Sequence, residues 1–101
     1  MTYIVDTEAR RIAGTAYLKE HNPARLAELN AKAVEILEQY RNGTDGTIGV
    51  DEAIGWAFNT LAGMCGDGCC GGAYELGGDD EDKAAHEHIM RLRARAWEVV
   101  G

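Results

Sequence analysis

Apolar residues recur at three- and four-residue steps in four separate stretches of this chain. The polar residues between those stretches carry signals that start and stop helices. The second stretch is the plainest. Leu26, Leu29, Ala33, Ile36, Leu37 and Tyr40 share one helical face, Asn22-Pro23 offers a cap followed by a first-turn proline, and Asn42-Gly43 ends the run. The first stretch predicts a helix over 7–20, capped by Asp6 or Thr7, with Glu8 in its first turn and Ala9, Ile12, Ala13 and Ala16 as its apolar stripe. The preceding MTYIV is expected to be a short extended arm.

A third helix is predicted to begin near Gly49 or Asp51, with Glu52 placed to close a capping-box-like start. Ile54, Ala57, Phe58, Leu61 and Cys65 would line its inner face until the glycine run MCGDGCCGGAYELGG, residues 64–78, ends it. The fourth helix opens at Asp79. Asp79, Asp80, Glu81 and Asp82 crowd its first turn, where the helix dipole favours negative charge, and Arg91, Arg93 and Arg95 fall towards its favoured cationic end. Ala85, Ile89, Leu92, Ala96 and Val99 make its stripe.

Four amphipathic helices with two short connections and one long one predict an all-α fold, a small four-helix bundle in a single domain over 1–101. The long Gly/Cys-rich loop before the last helix exceeds ordinary loop length, which marks it as a mobile or functional segment. The apolar faces either close within one chain or leave a stripe for a second copy, so a homodimer is one expected outcome.

Composition narrows the class. Of the 101 residues, 46% are hydrophobic, an ordinary content for a folded domain. No apolar run approaches the ~18 residues of a membrane span, so no membrane association is expected. The opening MTYIVDTEARR carries Asp6 and no apolar core, and so does not read as a secretory signal; a cytoplasmic location is the expectation. Three cysteines, an odd number, argue against a purely disulfide-paired scaffold. Serine is absent, which removes one common nucleophile.

The charge of −7 is unevenly placed. Residues 1–41 carry six basic and six acidic side chains, while 42–82 hold nine acids and no Lys or Arg; 83–101 have four basic and two acidic groups. The excess therefore sits in one central block. Such a block keeps a protein soluble, and it also attracts a basic partner. It disfavours direct nucleic-acid binding, because phosphate contacts need Lys and Arg.

Three motifs could carry chemistry. RNGTDGTIGVDE, residues 41–52, resembles the second half of an EF-hand calcium loop: Asp45-Gly46 as fifth ligand and turn glycine, Thr47 at the carbonyl position, apolar Ile48 eighth, and Glu52 as the twelfth ligand. Its first and third ligand positions fall on Arg41 and Gly43. A helix–turn–helix connection accounts for the same letters. Cys65-x3-Cys69-Cys70 has zinc-ligand spacing, with His86 or His88 as a fourth donor; about 200° separates the two histidines on a helix, so one ion could take only one of them. The alternative for Cys65 is a buried thiol on the third helix's stripe. Redox or nucleophilic cysteine chemistry needs a cation beside the thiol, whereas Asp67 stands between the cysteines. No carboxylate pair stands out for acid–base work, and His21 lies in the turn before Pro23. Trp56 and Trp97 sit beside the inner faces of helices three and four, either as core edges or as exposed anchors for a partner.

The functional expectation is non-enzymatic: an acidic protein-binding module that regulates or inhibits a protein with a basic surface, contacting it through Asp67, Glu75, Asp79, Asp80, Glu81 and Asp82. Phage-encoded inhibitors of nucleic-acid-binding bacterial defence proteins share this size and charge. The alternative is a metal-binding module with zinc at Cys65, Cys69, Cys70 and His86, or a vestigial calcium loop.

Overall fold

The computed structural model describes residues 2–40, 43, 46, 48–66, 72–73 and 76–100, the side chains of 2–6 and 100 excepted. It is an all-α bundle of α1 (Thr2–His21), α2 (Pro23–Tyr40), α3 (Val50–Leu61) and α4 (Asp80–Val100). No described helix is long and apolar enough to cross a membrane.

The start signals act as their chemistry dictates. Asn22 is the single residue between α1 and α2: its backbone N–H closes α1 onto the Leu18 carbonyl at 2.8 Å, and its Oδ1 accepts the Arg25 N–H at 3.1 Å. That bond satisfies a first-turn donor of α2, while Pro23 has none to satisfy. Asp79 caps α4 in the same way, its Oδ1 taking the Asp82 N–H at 2.8 Å. At α3 the expected capping box does not close. Gly49 is the cap residue and has no side chain to offer, leaving Asp51 and Glu52 to act on the dipole alone.

Three expectations are corrected. The MTYIV arm is helical from Thr2. No Gly or Pro interrupts it, and extending an existing helix adds a hydrogen bond for each residue fixed, which outweighs the modest propensity deficit of Ile4 and Val5. The α1 stripe lies on the opposite side of the helix. Ala9, Ala13 and Ala16 are exposed and Ile12 is 47% exposed, while Gly14 and Leu18 are buried with Thr15 and Tyr17 half-buried beside them. What selects this face is close approach, because a Cβ on Gly14 would lie 2.7 Å from the Ala84 carbonyl oxygen and 2.8 Å from Glu87 Cβ. Finally, α3 ends at Leu61 rather than running to Cys65. Gly63 takes φ +78°, its N–H bonds the Thr60 carbonyl, and the Met64 N–H bonds the Asn59 carbonyl at 2.9 Å. This is the paired hydrogen bonding of a Schellman termination. Cys65 consequently leaves the helical stripe and is exposed.

The core gathers Leu18, Leu29, Ala33, Ile54, Phe58, Ala85, Ile89 and Met90, with Phe58, Leu18 and Ile54 fully enclosed. Its members on α2 and α3 are among those the periodicity indicated; on α4, Ala85 and Ile89 are, whereas Met90 is buried off the expected stripe and Val99, in the last turn, runs past the core and is exposed. α2 and α4 each pack against all the other helices, whereas α1 and α3 do not touch among the described residues. α1 lies antiparallel to α4: Gly14 meets Ala84 and Glu87, and Thr15 meets His88 and Arg91.

Candidate functional site

The acids of the central block fall into different situations. Asp67 and Glu75 lie outside the described residues. Asp79 is exposed but engaged as the α4 cap, and Asp80 is exposed beside it. Glu81 and Asp82 turn towards α2, where Arg25 Nη1 donates to Glu81 Oε2 at 2.7 Å and to Asp82 Oδ1 at 3.1 Å; Asn22 Nδ2 donates to Glu81 Oε1 at 3.2 Å. The Arg25 hydrogen bond, with Asn22 adding to it, holds the Glu81 carboxyl below its ordinary range. Burial opposes the charge of Arg25, but the two carboxylates outweigh it and raise the guanidinium's pKa. The first turn of α4 is therefore partly neutralised from within.

The proposed zinc donors are not assembled among the described residues. Cys69 and Cys70 lie outside them, Cys65 is exposed after α3, and His86 is half-buried on the face of α4 turned to the α3–α4 connection. There Gly72 passes so close that a Cβ on it would lie 2.9 Å from His86 Nδ1. Burial, reinforced by Arg93 and Arg11 and opposed by Glu87, lowers the His86 pKa. No three His, Cys, Asp or Glu side chains among the described residues form a group that could hold a metal ion. Of the calcium-like loop, Arg41, Asp45 and Thr47 lie outside the described residues, while Glu52 is exposed on α3.

His88, on the other side of α4, joins three helices. Its Nδ1 lies 2.7 Å from Thr15 Oγ1 on α1 and its Nε2 lies 2.8 Å from Asn30 Oδ1 on α2; Arg91 Nη1 donates to the same Thr15 oxygen at 3.1 Å. Burial, then the cations of Arg91 and Arg95, push the His88 pKa down to about 4. A neutral imidazole fits these partners, with Nε2–H donating to Asn30 and Nδ1 accepting from the Thr15 hydroxyl. A second polar cluster ties α3 to α4 and to the start of the connection. Buried Asn59 accepts from Arg93 Nη1 and donates to the Gly66 carbonyl at 3.0 Å. The Arg93 guanidinium, its pKa lowered by burial and by Arg11, lies 4.8 Å from the Trp97 ring, and Trp97 Nε1–H donates to the Asp51 carbonyl at 2.9 Å. Both clusters are built as internal ties between helices.

An open apolar surface lies between α2 and α3. Ile36, Tyr40, Ile48, Trp56, Ala57 and Leu61 line a groove of about 500 Å³, with Lys32 and Glu35 on its α2 wall. Trp56 is 52% exposed and Ile48 40%, both large apolar side chains left in water. The Trp56 ring is held against Gly66, where any Cβ would overlap it. Glu52, one helical turn before Trp56, and Asp51 add exposed carboxylates along α3. Sequence periodicity did not single out this groove, because it is formed between two helices and not along one; the available signal was Trp56 itself, lying off the Ile54–Phe58–Leu61 face. Also unsignalled was the cleft that brings Arg11 of α1 to Arg91 and Arg95 of α4. Compared with protein-family models, curated proteins and solved structures, the chain finds no match in any of the three.

Proposed function

We propose that this protein is a non-enzymatic binding module that docks a partner protein through the α2–α3 groove. The partner presents a basic, amphipathic segment, and covering that segment regulates or inhibits it. A protein that uses the same basic surface to hold nucleic acid is the partner class this reading favours. The observation that carries it is Trp56: a tryptophan half in water, seated on Gly66, in a groove walled by Ile36, Tyr40 and Ile48. Buried aromatic anchors dominate binding energy at protein interfaces, and apolar grooves between helices accept amphipathic helices. Exposed Glu35, Asp51 and Glu52 supply the complementary charge near it, with Asp79 and Asp80 as more distant steering groups.

The test uses a helical Lys/Leu amphipathic peptide as probe, titrated into the full chain carrying Trp97→Phe so that Trp56 reports alone. The expected result is saturable binding with a Trp56 emission shift, and an affinity, read by calorimetry for both chains, weakened by roughly thirtyfold in Trp56→Ala, as an interface anchor of about 2 kcal/mol requires. Asp79→Asn with Asp80→Asn keeps the helix cap and should slow association while reducing its salt dependence. Equal affinity of Trp56→Ala for the peptide would sink the reading.

A further inference from the structure

The cleft between the N-terminal half of α1 and the C-terminal half of α4 is the one place described in this acidic protein where several arginines converge on open space. Its volume is about 500 Å³, within the range of small-molecule sites. Arg11 projects into it from α1, Arg91 and Arg95 from successive turns of α4, and Ile12 and Ala94 supply an apolar wall; Glu8 and Glu98 also line it. The other described arginines are engaged. Arg10 lies 4.0 Å from Glu87, Arg25 binds Glu81 and Asp82, and Arg93 binds Asn59. Arg11 and Arg95, by contrast, have no carboxylate within 4.0 Å and no side-chain hydrogen bond among the described residues, although two glutamates line the same cleft. Arg91 is oriented from behind, since its Nη1 donates to Thr15, which is itself bonded to His88.

We infer that this cleft binds the phosphoryl group of a small phosphate ester. Guanidinium forks match tetrahedral oxyanions bidentately, and a phosphate presents enough oxygens to engage three forks at once, which one planar carboxylate cannot do. Ile12 and Ala94 would cover the apolar part of the ester, and Glu8 and Glu98 would accept from its hydroxyl or amino groups. This site lies on a different pair of helices from the partner groove and stands or falls independently of it.

Calorimetric titration of the full chain with inorganic pyrophosphate at about pH 6 and low ionic strength, where it is close to a dianion, tests the assignment, with malonate as a dicarboxylate of comparable charge. The expected result is saturable pyrophosphate binding, at least about tenfold tighter than malonate. Arg95→Gln and Arg11→Gln should each weaken it by about tenfold, as loss of a charge-assisted hydrogen bond implies. Lys19→Gln, which removes an exposed cation from the far end of α1, should leave it within about twofold. Both arginines lie at the surface or half-buried with no internal bond, so these variants leave the fold intact, which thermal unfolding checks. Absence of binding at millimolar pyrophosphate, equal binding of malonate, or an equal loss in Lys19→Gln would each overturn the inference.

Discussion

The α1–α4 seam and the α2–α3 groove are built from opposite materials. At the seam the backbones approach so closely that Gly14 has no room for a Cβ, and the contact is completed by hydrogen bonds among Thr15, His88 and Arg91. At the groove, bulky Ile36, Tyr40, Ile48 and Trp56 line a depression between α2 and α3, and part of their apolar surface stays in water. Small residues and polar ties close the middle of the seam, and its end towards the start of α1 opens into the arginine cleft. Large apolar residues that do not meet leave a surface that another chain can complete. Helix pairs of this bundle therefore differ in how much apolar surface they leave in water because they differ in side-chain volume where they meet.

The sharpest way to break the seam is volume. Gly14→Leu should destabilise the protein by about 3 kcal/mol in urea unfolding, whereas a helix-interior glycine with open space gains up to about 1 kcal/mol on replacement by a better helix former. A neutral or stabilised Gly14→Leu would mean that the helices do not cross there. Next comes pH. The His88 pKa of about 4 in the folded protein lies below the unfolded value of 6.5, so the unfolded chain takes the proton more readily. Stability contributed by His88 is full above about pH 6.5 and falls as pH drops towards 4, by about 2 kcal/mol at pH 4.5. His88→Gln should flatten that limb of the stability profile; an unchanged slope would place the imidazole in water. Depression of the His86 and Glu81 pKa values acts in the same direction and contributes to the residual slope.

At the groove the same experiments should give little. Trp56→Ala is expected to cost about 1 kcal/mol, well below the ~3–5 kcal/mol of a buried tryptophan, because half of the ring is already exposed. A larger loss, read by urea unfolding, would make Trp56 a core residue and erase the contrast. The smallest effect should come from Arg25→Gln, which removes a partly exposed ion pair shared with Glu81 and Asp82. Its shift in unfolding midpoint should shrink as salt is raised, and a shift that is insensitive to salt would speak for packing by the arginine stem instead.

The helices were legible where their boundaries are local chemistry. Asn22-Pro23 and Asp79 act through residues three positions away, and a reader of the chain can see both partners. What lay beyond reach depends on residues distant in sequence. The buried side of α1 is chosen by Ala84 and Glu87 meeting Gly14, so a stripe of weakly apolar alanines pointed to the wrong face. Asp79 to Asp82 read correctly as dipole-favoured acids, yet Arg25, more than fifty positions away, takes up two of them. Cys65 fell off the predicted helical stripe because Gly63 turns left-handed and ends α3 one turn early. The groove around Trp56 and the arginine cleft are both properties of helix pairs, and no single helix displays them.

The antiparallel docking of α1 on α4 also sets an order of events during synthesis. Thr15 and His88 are 73 residues apart, so at about 5–20 residues per second His88 is made roughly 4–15 s after Thr15. Through that interval α2 and α3 can find each other, while Gly14, Thr15 and Leu18 wait with their polar and apolar groups in water. The seam is thus among the last contacts of the bundle able to form, and until α4 is made α1 has, among the described residues, only α2 to pack against.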